Sequence, residues 1–226
     1  MAYSPLTHVS AQSTGGSGNG FTTGAIDTTG ADLIVLVTSW VDPFTPGTPT
    51  DSKGNSYTGL TTRTNTNDNA VRIWYKQAPI VGSGHTFTAN GNGTYQTLCA
   101  MAFSGSVSTP FDVENGGPSS GTVTSLATGS ITPTQDNELV IAAVSYDDTT
   151  SLSIGGSFTI ADQGAFVLNN AVGGALAYLI QTTAAAANPT WSWTNSQKAS
   201  AAIASFKAAA VGGSRQQTLT TLLVGT

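Results

Sequence analysis

The sequence predicts an all-β protein, built as a duplicated β-sandwich of two immunoglobulin-like or jelly-roll units with about six strands each. Three observations predict it. Only 8% of the residues are charged, against about 25% in typical soluble domains, so long charged helix formers are scarce. Short β-prone runs alternate with turn-rich segments to which 26 glycines contribute. The second half of the chain repeats the pattern of the first.

Composition and charge exclude several classes of partner. With 39% hydrophobic residues, the 226-residue chain can bury a substantial core. Seven scattered basic residues against twelve acidic ones cannot form a stripe that follows a phosphate backbone, so no nucleic-acid partner is expected. No apolar run reaches the roughly 18 residues that span a bilayer, and the first residues lack a secretion signal pattern. We therefore expect no membrane partner and no ordinary secretion route.

The first half of the chain predicts a flexible arm followed by one sandwich unit. Residues 1–20 are assigned to the arm because they end in a Gly/Ser/Asn-rich stretch, and residues 21–105 to unit one. The strongest strand covers residues 32–40, whose continuous apolar run predicts burial on both faces. Prolines and a turn motif predict a loop over residues 42–55. Weaker strands are predicted at residues 21–26, 57–63, 71–76, 85–88 and 95–103.

The second half repeats this plan after a linker at residues 106–125, which places unit two at residues 126–210. The offset between matching positions stays between 103 and 106 residues, as for Leu33 with Leu139 and Phe103 with Phe206. The same alignment matches Trp74 with Tyr178, Gln77 with Gln181 and Phe87 with Trp191. Matches in a constant order at a near-constant offset indicate duplication. Whether the units form two domains or one fused sandwich is left open.

The tail at residues 211–226 ends in a β-prone apolar strip. This strip is expected to pack against its own domain or to add a strand to a neighbouring subunit. The assembly candidates that it supplies are Leu219, Leu222, Leu223 and Val224.

Residues that could carry catalysis are sparse, and no catalytic residue is predicted. The two histidines are His8, in the arm, and His85, at the start of a strand. No Gly-x-Ser-x-Gly elbow lies between a strand and a helix, and the two glutamates, Glu114 and Glu138, do not suggest a glycosidase pair. The sequence therefore predicts that the protein is not an enzyme.

A calcium site has a weak case. Asp42, Asp51 and Asn55 flank one loop, and Asp147 with Asp148 lie at the matching place in unit two. Oxygen ligands on turns suit Ca²⁺, but Asp and Asn also stabilise turns by bonding their own backbone, and both interpretations stay open. The single cysteine and the absence of a Cys/His cluster exclude zinc, and no other cofactor is expected.

Trp191 and Trp193 are the binding candidates. They lie two residues apart, so their side chains face the same side of a strand. Such a pair can form a stacking platform for a glycan, or it can fill the core, and the match of Trp191 with Phe87 favours the core.

Several phrases of the chain resemble β-sandwich modules of bacteriophage virion proteins and of secreted bacterial surface proteins. They include Asp51-Ser52-Lys53-Gly54-Asn55, Gly82-Ser83-Gly84-His85 and Ala102-Phe103-Ser104-Gly105, within a resemblance that covers roughly residues 20–208. The resemblance implies a sandwich displayed on a particle or cell surface, and it carries over no catalytic residues. Because no signal pattern is visible, it favours the virion setting.

The function expected from the sequence is that of a non-enzymatic virion structural protein, either a capsid decoration protein or a tail or fibre component. Its partners would be further copies, in a homo-oligomer, or other virion proteins, and it would assemble through sandwich faces and terminal arms. The alternative is a carbohydrate-binding or adhesin module at an extracellular or cell surface, with a glycan as its partner.

Overall fold

The computed structural model describes residues 2–13, 20–91, 95–147, 151–167 and 172–210. Over these ranges the chain forms strands and no helix, which confirms the predicted all-β fold, and so no helix there could cross a membrane. The strands are β1 (Ser4–Gln12), β2 (Phe21–Thr22), β3 (Leu33–Val41), β4 (Thr50–Asp51), β5 (Thr58–Gly59), β6 (Arg63–Asn65), β7 (Asn69–Gln77), β8 (Phe87–Ala89), β9 (Thr97–Ser104), β10 (Ser106–Pro118), β11 (Val123–Ala127), β12 (Glu138–Tyr146), β13 (Leu152–Ile154), β14 (Thr159–Gly164), β15 (Gly173–Gln181), β16 (Thr190–Gln197) and β17 (Ala199–Ala208).

The two halves of the chain have the same antiparallel topology. The first half has a large sheet in the order β1-β9-β3-β7-β5, with β6 also paired to β7, and a small sheet β2-β8-β4. The second half has a large sheet β10-β17-β12-β15-β14 and a small sheet β11-β16-β13. Each strand of the second half has a counterpart at the same place in the first, with β14 standing for both β5 and β6.

Two segments that the sequence assigned outside the units are strands, so each unit has more than the expected six. Residues 4–12, assigned to the flexible arm, form β1, which pairs with β9 and covers its edge. Residues 106–118, assigned to the linker, form β10, which pairs with β17. Pro110 and two glycines concealed this strand in the sequence, and they are tolerated because β10 is an edge strand with two register shifts.

Within each unit, the small sheet covers one face of the large sheet. In unit one, Phe87 and Ala89 of β8 pack against Ile34 and Leu36 of β3, with Trp74 of β7 in the same cluster. In unit two, aromatic and aliphatic side chains from β16, β11 and β13 pack against β12, β15 and β17. Each unit is therefore a sandwich with its own core.

The opposite faces of the two large sheets pack against each other and form a third, central core. This core joins Leu33, Val35 and Val37 of β3 to Leu139 and Ile141 of β12, and it contains Phe103 and Phe206. The chain is thus a stack of four sheets, in the order small, large, large, small. The sequence left open whether the units form two domains or one. They form one fused body, in which the two large sheets make a central sandwich and a small sheet covers each outer face.

A pseudo-two-fold axis parallel to the central strands relates the units. Val35 pairs with Tyr75 and its counterpart Ile141 pairs with Tyr178, so the two tyrosines are equivalent. The Tyr75 and Phe206 ring centroids lie 5.3 Å apart, and those of Tyr178 and Phe103 lie 5.8 Å apart. At the other end, Thr97 Oγ1 donates to the Val172 carbonyl (2.7 Å) and its counterpart Ser200 Oγ donates to the Asn69 carbonyl (3.1 Å). The contact is isologous, like that of a two-fold dimer.

The strand registers give two corrections to the sequence matches between the halves. The first is a shift of one residue, which applies to the match of Gln77 with Gln181 as well as to that of Trp74 with Tyr178: Leu33 pairs with Gln77, and its counterpart Leu139 pairs with Ile180. Tyr178 is the counterpart of Tyr75, because each pairs with the equivalent residue of the central strand, so the predicted match with Trp74 is wrong by one residue. A shift of one residue moves a side chain to the other face of a sheet. Trp74 therefore lies in the core of unit one, whereas Tyr178 packs against the central core.

The pairing of β8 and β16 gives the second correction. Thr22 pairs with Thr88 and Ala127 pairs with Thr190, which makes these threonines equivalent and places Trp191 at the position of Ala89. The predicted match of Trp191 with Phe87 is wrong by two residues. An error of two keeps the side chain on the same face, so the expectation that this face points inward still agrees with the structure.

The central core makes a prediction about cooperativity. Phe103 and Phe206 are fully buried in equivalent places, so Phe103→Ala and Phe206→Ala should each lower the free energy of unfolding by about 3–5 kcal/mol. Urea denaturation should show one transition for both variants, because the core belongs to both units. The control Phe44→Ala, at a side chain that is 42% exposed, should change stability by no more than about 0.5 kcal/mol. Two separate transitions, or a loss from only one of the core variants, would contradict the fused body.

Candidate functional site

The tryptophan pair is buried. Trp191 is fully buried and Trp193 is 6% exposed; both pack between the two sheets of unit two. The indole N–H of Trp193 donates to the Val123 carbonyl at 2.7 Å. Neither ring presents a free face to a sugar. The prediction of a glycan platform is therefore wrong, and the alternative interpretation applies: this pair fills the core of unit two.

Two of the calcium candidates come together, but hydrogen-bond donors surround the carboxylate. Asp51 Oδ1 accepts the backbone N–H groups of Lys53 and Asn55, and Oδ2 accepts the Asn55 amide (2.8 Å) and the Tyr57 hydroxyl (2.6 Å). A cation bound to Asp51 would need further oxygen ligands around it, but N–H and O–H donors occupy those positions. The arrangement is that of a stabilised turn, and the alternative interpretation of this motif applies.

His85 extends this turn into a buried polar network that the sequence did not reveal. Its Nδ1 lies 2.8 Å from the Thr28 hydroxyl, and its Nε2 lies 3.0 Å from Asp51 Oδ2, though not aligned as a directed hydrogen bond. Hydroxyl, imidazole and carboxylate stand in the order of a nucleophilic triad. However, the Thr28, His85 and Asp51 side chains have no exposed surface. The network is closed to substrate and serves as internal support.

The remaining calcium candidates are separate from this turn. Asp42 accepts the backbone N–H of Asn67 at 2.7 Å. Asp147 lies at the end of β12 beside Asp68 of unit one, and the Asn69 amide donates to both carboxyls at 3.2 and 2.8 Å. Lys198 Nζ contacts Asp68 at 3.0 Å. Among the described residues, no cluster of three or more His, Cys, Asp or Glu side chains could hold a metal.

Five predicted site residues lie outside the described residues. They are the calcium candidate Asp148 and the assembly candidates Leu219, Leu222, Leu223 and Val224.

The two edges of the central sandwich open into clefts that the sequence did not predict. We call these edges the first seam, where β5 and β7 face β10, and the second seam, where β14 and β15 face β1. The first-seam cleft has a volume of about 320 Å³ and the second-seam cleft about 270 Å³. The pseudo-two-fold axis relates the clefts, since Tyr75 lines the first and its counterpart Tyr178 lines the second.

A polar bridge crosses each seam. In the first seam, Glu114 of β10 accepts the backbone N–H (3.0 Å) and hydroxyl (2.8 Å) of Thr61, and Arg63 lies 3.6 Å away. In the second seam, Asp162 of β14 contacts His8 Nδ1 at 2.9 Å and accepts the Ser10 hydroxyl at 2.6 Å. His8 and Glu114 occupy equivalent places on β1 and β10, so the direction of the bridge is reversed between the seams.

The clefts have the same backbone frame and different linings. Six polar side chains surround the first: Ser56, Thr58, Lys76, Gln77, Ser108 and Thr109. The second has a more apolar set of side chains, Leu6, Met101, Ile160 and Ala161, together with the polar residues Thr7, His8 and Thr159. Tyr75 and Phe111 stack at the base of the first cleft, with centroids 6.2 Å apart and an interplanar angle of 17°. The first-seam cleft is therefore suited to a ligand with both apolar and polar surface.

Comparison with protein-family models, curated proteins and solved structures finds no significant match.

The buried turn predicts a stability effect at acid pH. Burial acts to raise the pKa of the Asp51 carboxyl, but the hydrogen bonds from Tyr57 and Asn55 outweigh it and hold the pKa below its ordinary value. The carboxylate thus stabilises the fold fully above about pH 4, and this contribution is lost as the pH falls through the lower folded-state pKa. Asp51→Ala should cost about 3 kcal/mol or more at neutral pH, because it leaves buried donors unpaired. Chemical denaturation between pH 2 and 7 measures both effects. A free energy of unfolding that Asp51→Ala leaves unchanged would refute the role of the turn.

The carboxyl groups of Asp68 and Asp147, which meet beside Asn69 at the end of β12, predict the opposite pH dependence of stability. Burial and the neighbouring Asp68 raise the pKa of Asp147 to about 8. A raised pKa stabilises the folded state below the unfolded value near 4, and this contribution disappears as the pH rises towards 8. Asp147→Asn, which stays neutral, should therefore lose less stability than the wild type between pH 5 and 9. The exposed control Asp136→Asn should follow the wild type in thermal melts over that range. Parallel curves for wild type and Asp147→Asn would show that Asp147 is ionised throughout.

Proposed function

We propose that this protein is a non-enzymatic structural module, held by one pole on a virion or comparable particle, where it serves as a decoration, tail or fibre component. Its expected partners are further copies or other proteins of the particle. No described residue requires a cofactor for this role.

The observation that carries the proposal is the position of the two ends of the described chain. Gly105 lies against the backbone of Ala2 and Tyr3, and its carbonyl accepts the N–H of Ala209 at 2.7 Å. The Tyr3 hydroxyl donates to the Lys207 carbonyl at 2.9 Å. Both ends thus lie at one pole, next to each other. A rigid body whose chain enters and leaves at one pole can be attached there while its opposite pole faces outward.

The closed polar network supports a non-enzymatic role. The hydroxyl–imidazole–carboxylate series in unit one has no exposed surface and stabilises a turn. The other histidine, His8, forms the bridge of the second seam with Asp162. The titratable groups that resemble catalytic ones are thus used to hold strands together.

The distribution of charge supports partners other than nucleic acid. Of the described cations, Arg63, Lys198 and Lys207 contact carboxylates. Lys53 and Arg72 donate to backbone carbonyls. These contacts hold the cations in separate places, and none forms a stripe that could follow a phosphate backbone.

The proposal predicts assembly or particle association. In sedimentation velocity over a concentration series, the full chain should form discrete oligomers, and particles from the producing culture should carry the chain when labelled with immunogold. The double variant Leu222→Asp/Leu223→Asp should weaken this association, since charge at the apolar strip opposes strand addition. Phe44→Asp, at an exposed apolar side chain remote from the chain ends, is the matched control and should leave it unchanged.

A chain that sediments as a 22.9 kDa monomer at every concentration, and that is absent from all particles, would refute the structural role.

A further inference from the structure

Among the described residues, the polar side chains of the first-seam cleft have no hydrogen-bond partners. Ser56, Thr58, Gln77, Ser108 and Thr109 form no side-chain hydrogen bond within the described part of the chain, and the Tyr75 hydroxyl forms none there either. These side chains are exposed or half-buried, so their polar groups face the open cleft. A cluster of unengaged donors and acceptors around one cleft is available to a ligand.

The base of the cleft supplies a complementary apolar surface. The Tyr75 and Phe111 rings stack on each other, and both pack against Phe206 of the central core at 5.3 and 6.5 Å. Because the core holds both rings, they lose little side-chain freedom when a ligand binds. The site is therefore a fixed aromatic base with hydroxyl and amide groups at its rim.

The charge of the cleft limits how much negative charge a ligand can carry. Lys76 is the charged side chain of its lining, and it has no ion-pair partner among the described residues. The nearby carboxylate of Glu114 is occupied by Thr61 and Arg63. One cation is too few for a polyphosphate or nucleic acid, but it tolerates a neutral ligand or one with a single carboxylate.

We propose that the first-seam cleft binds carbohydrate, as one or two terminal units of a glycan. A sugar ring has an apolar C–H face that packs on an aromatic ring and hydroxyl groups at its edge that bond to Ser, Thr and Gln side chains. The volume of about 320 Å³ lies at the lower end of the range for small-molecule sites, which suits a short ligand. This inference goes beyond the structural role and does not depend on it.

The second-seam cleft provides an internal control. It has the equivalent tyrosine, Tyr178, and Thr159 in the place of Thr58, within the same backbone frame. Its lining includes Leu6 and Met101 beside Thr7 and His8, and Pro5 occupies the position of Phe111. It lacks the aromatic stack, and its lining has three hydroxyl side chains, on Thr7, Thr159 and Tyr178, against five in the first cleft, so it should bind the same ligand more weakly or not at all.

The test begins with the full chain on a glycan array, followed by calorimetry with the best free oligosaccharide. Tyr75→Phe removes one hydroxyl and should weaken binding about 2- to 10-fold, and Gln77→Ala/Thr109→Ala should weaken it roughly 10-fold or more. The matched controls Tyr178→Phe and Thr159→Ala alter the second cleft and should leave affinity unchanged. Thermal melts of all variants should agree with the wild type, since none of these groups has a hydrogen bond within the part of the chain that the structure describes.

Three results would overturn the proposal. They are an array with no bound glycan, an affinity that the first-cleft variants do not change, and an equal loss in the second-cleft controls. Binding of an extended peptide in this cleft, with no glycan bound, would also overturn it and would assign the cleft to strand addition along the free edge of β10. Particle association, measured separately, tests the structural role and is unaffected by these outcomes.

Discussion

Contact between the apolar faces of the two large sheets is the constraint on which the rest of the structure depends. Each large sheet has one apolar face towards its own small sheet and a second towards the other unit, so β3 and β12 are buried on both faces. A single unit would leave its second face exposed, and an exposed apolar face of this kind associates with another. Fusion in one chain supplies the partner surface permanently. The four-sheet stack, the shared central core and the pseudo-two-fold axis all follow from this contact.

Much of this architecture could be predicted from the sequence because it depends on local patterns of apolar and turn-forming residues. The continuous apolar run at residues 32–40 predicted burial on both faces, which is explained by alternate side chains reaching the two cores, as Ile34 and Val35 do. The repeat offset indicated the duplication. The edge strands β1 and β10 were missed, since they are polar or contain proline and glycine, and an edge strand needs neither alternation nor a donor at each residue.

The candidate site was harder to predict than the fold. Trp191 and Trp193 were binding candidates because they are large aromatic residues in a polar stretch of the sequence, but the register of β16 points both side chains into the core. Tyr75 and Phe111, which are distant in sequence, meet only because the units pack face to face. A cleft between sheets of different units has no sequence pattern of its own, and residues from β5, β7 and β10 become neighbours through long-range packing alone. The same is true of the Asp51–His85 contact, which joins two separate loops.

The duplication also shows where the copies were free to change. In unit two, Ala187 stands at the place of His85 and Gly156 at the place of Asp51, since their pairing partners are equivalent. Phe158 packs beside Gly156, so an apolar side chain supports this region where unit one uses a polar network. Either solution holds the small sheet in place, and the central core tolerates both because it lies on the other face of the large sheet. The seams differ in the same way: one tyrosine is kept on each side, while Phe111 stands beside it in the first seam and Pro5 in the second. A symmetric frame that stabilises both copies thus leaves each seam free to acquire a separate role.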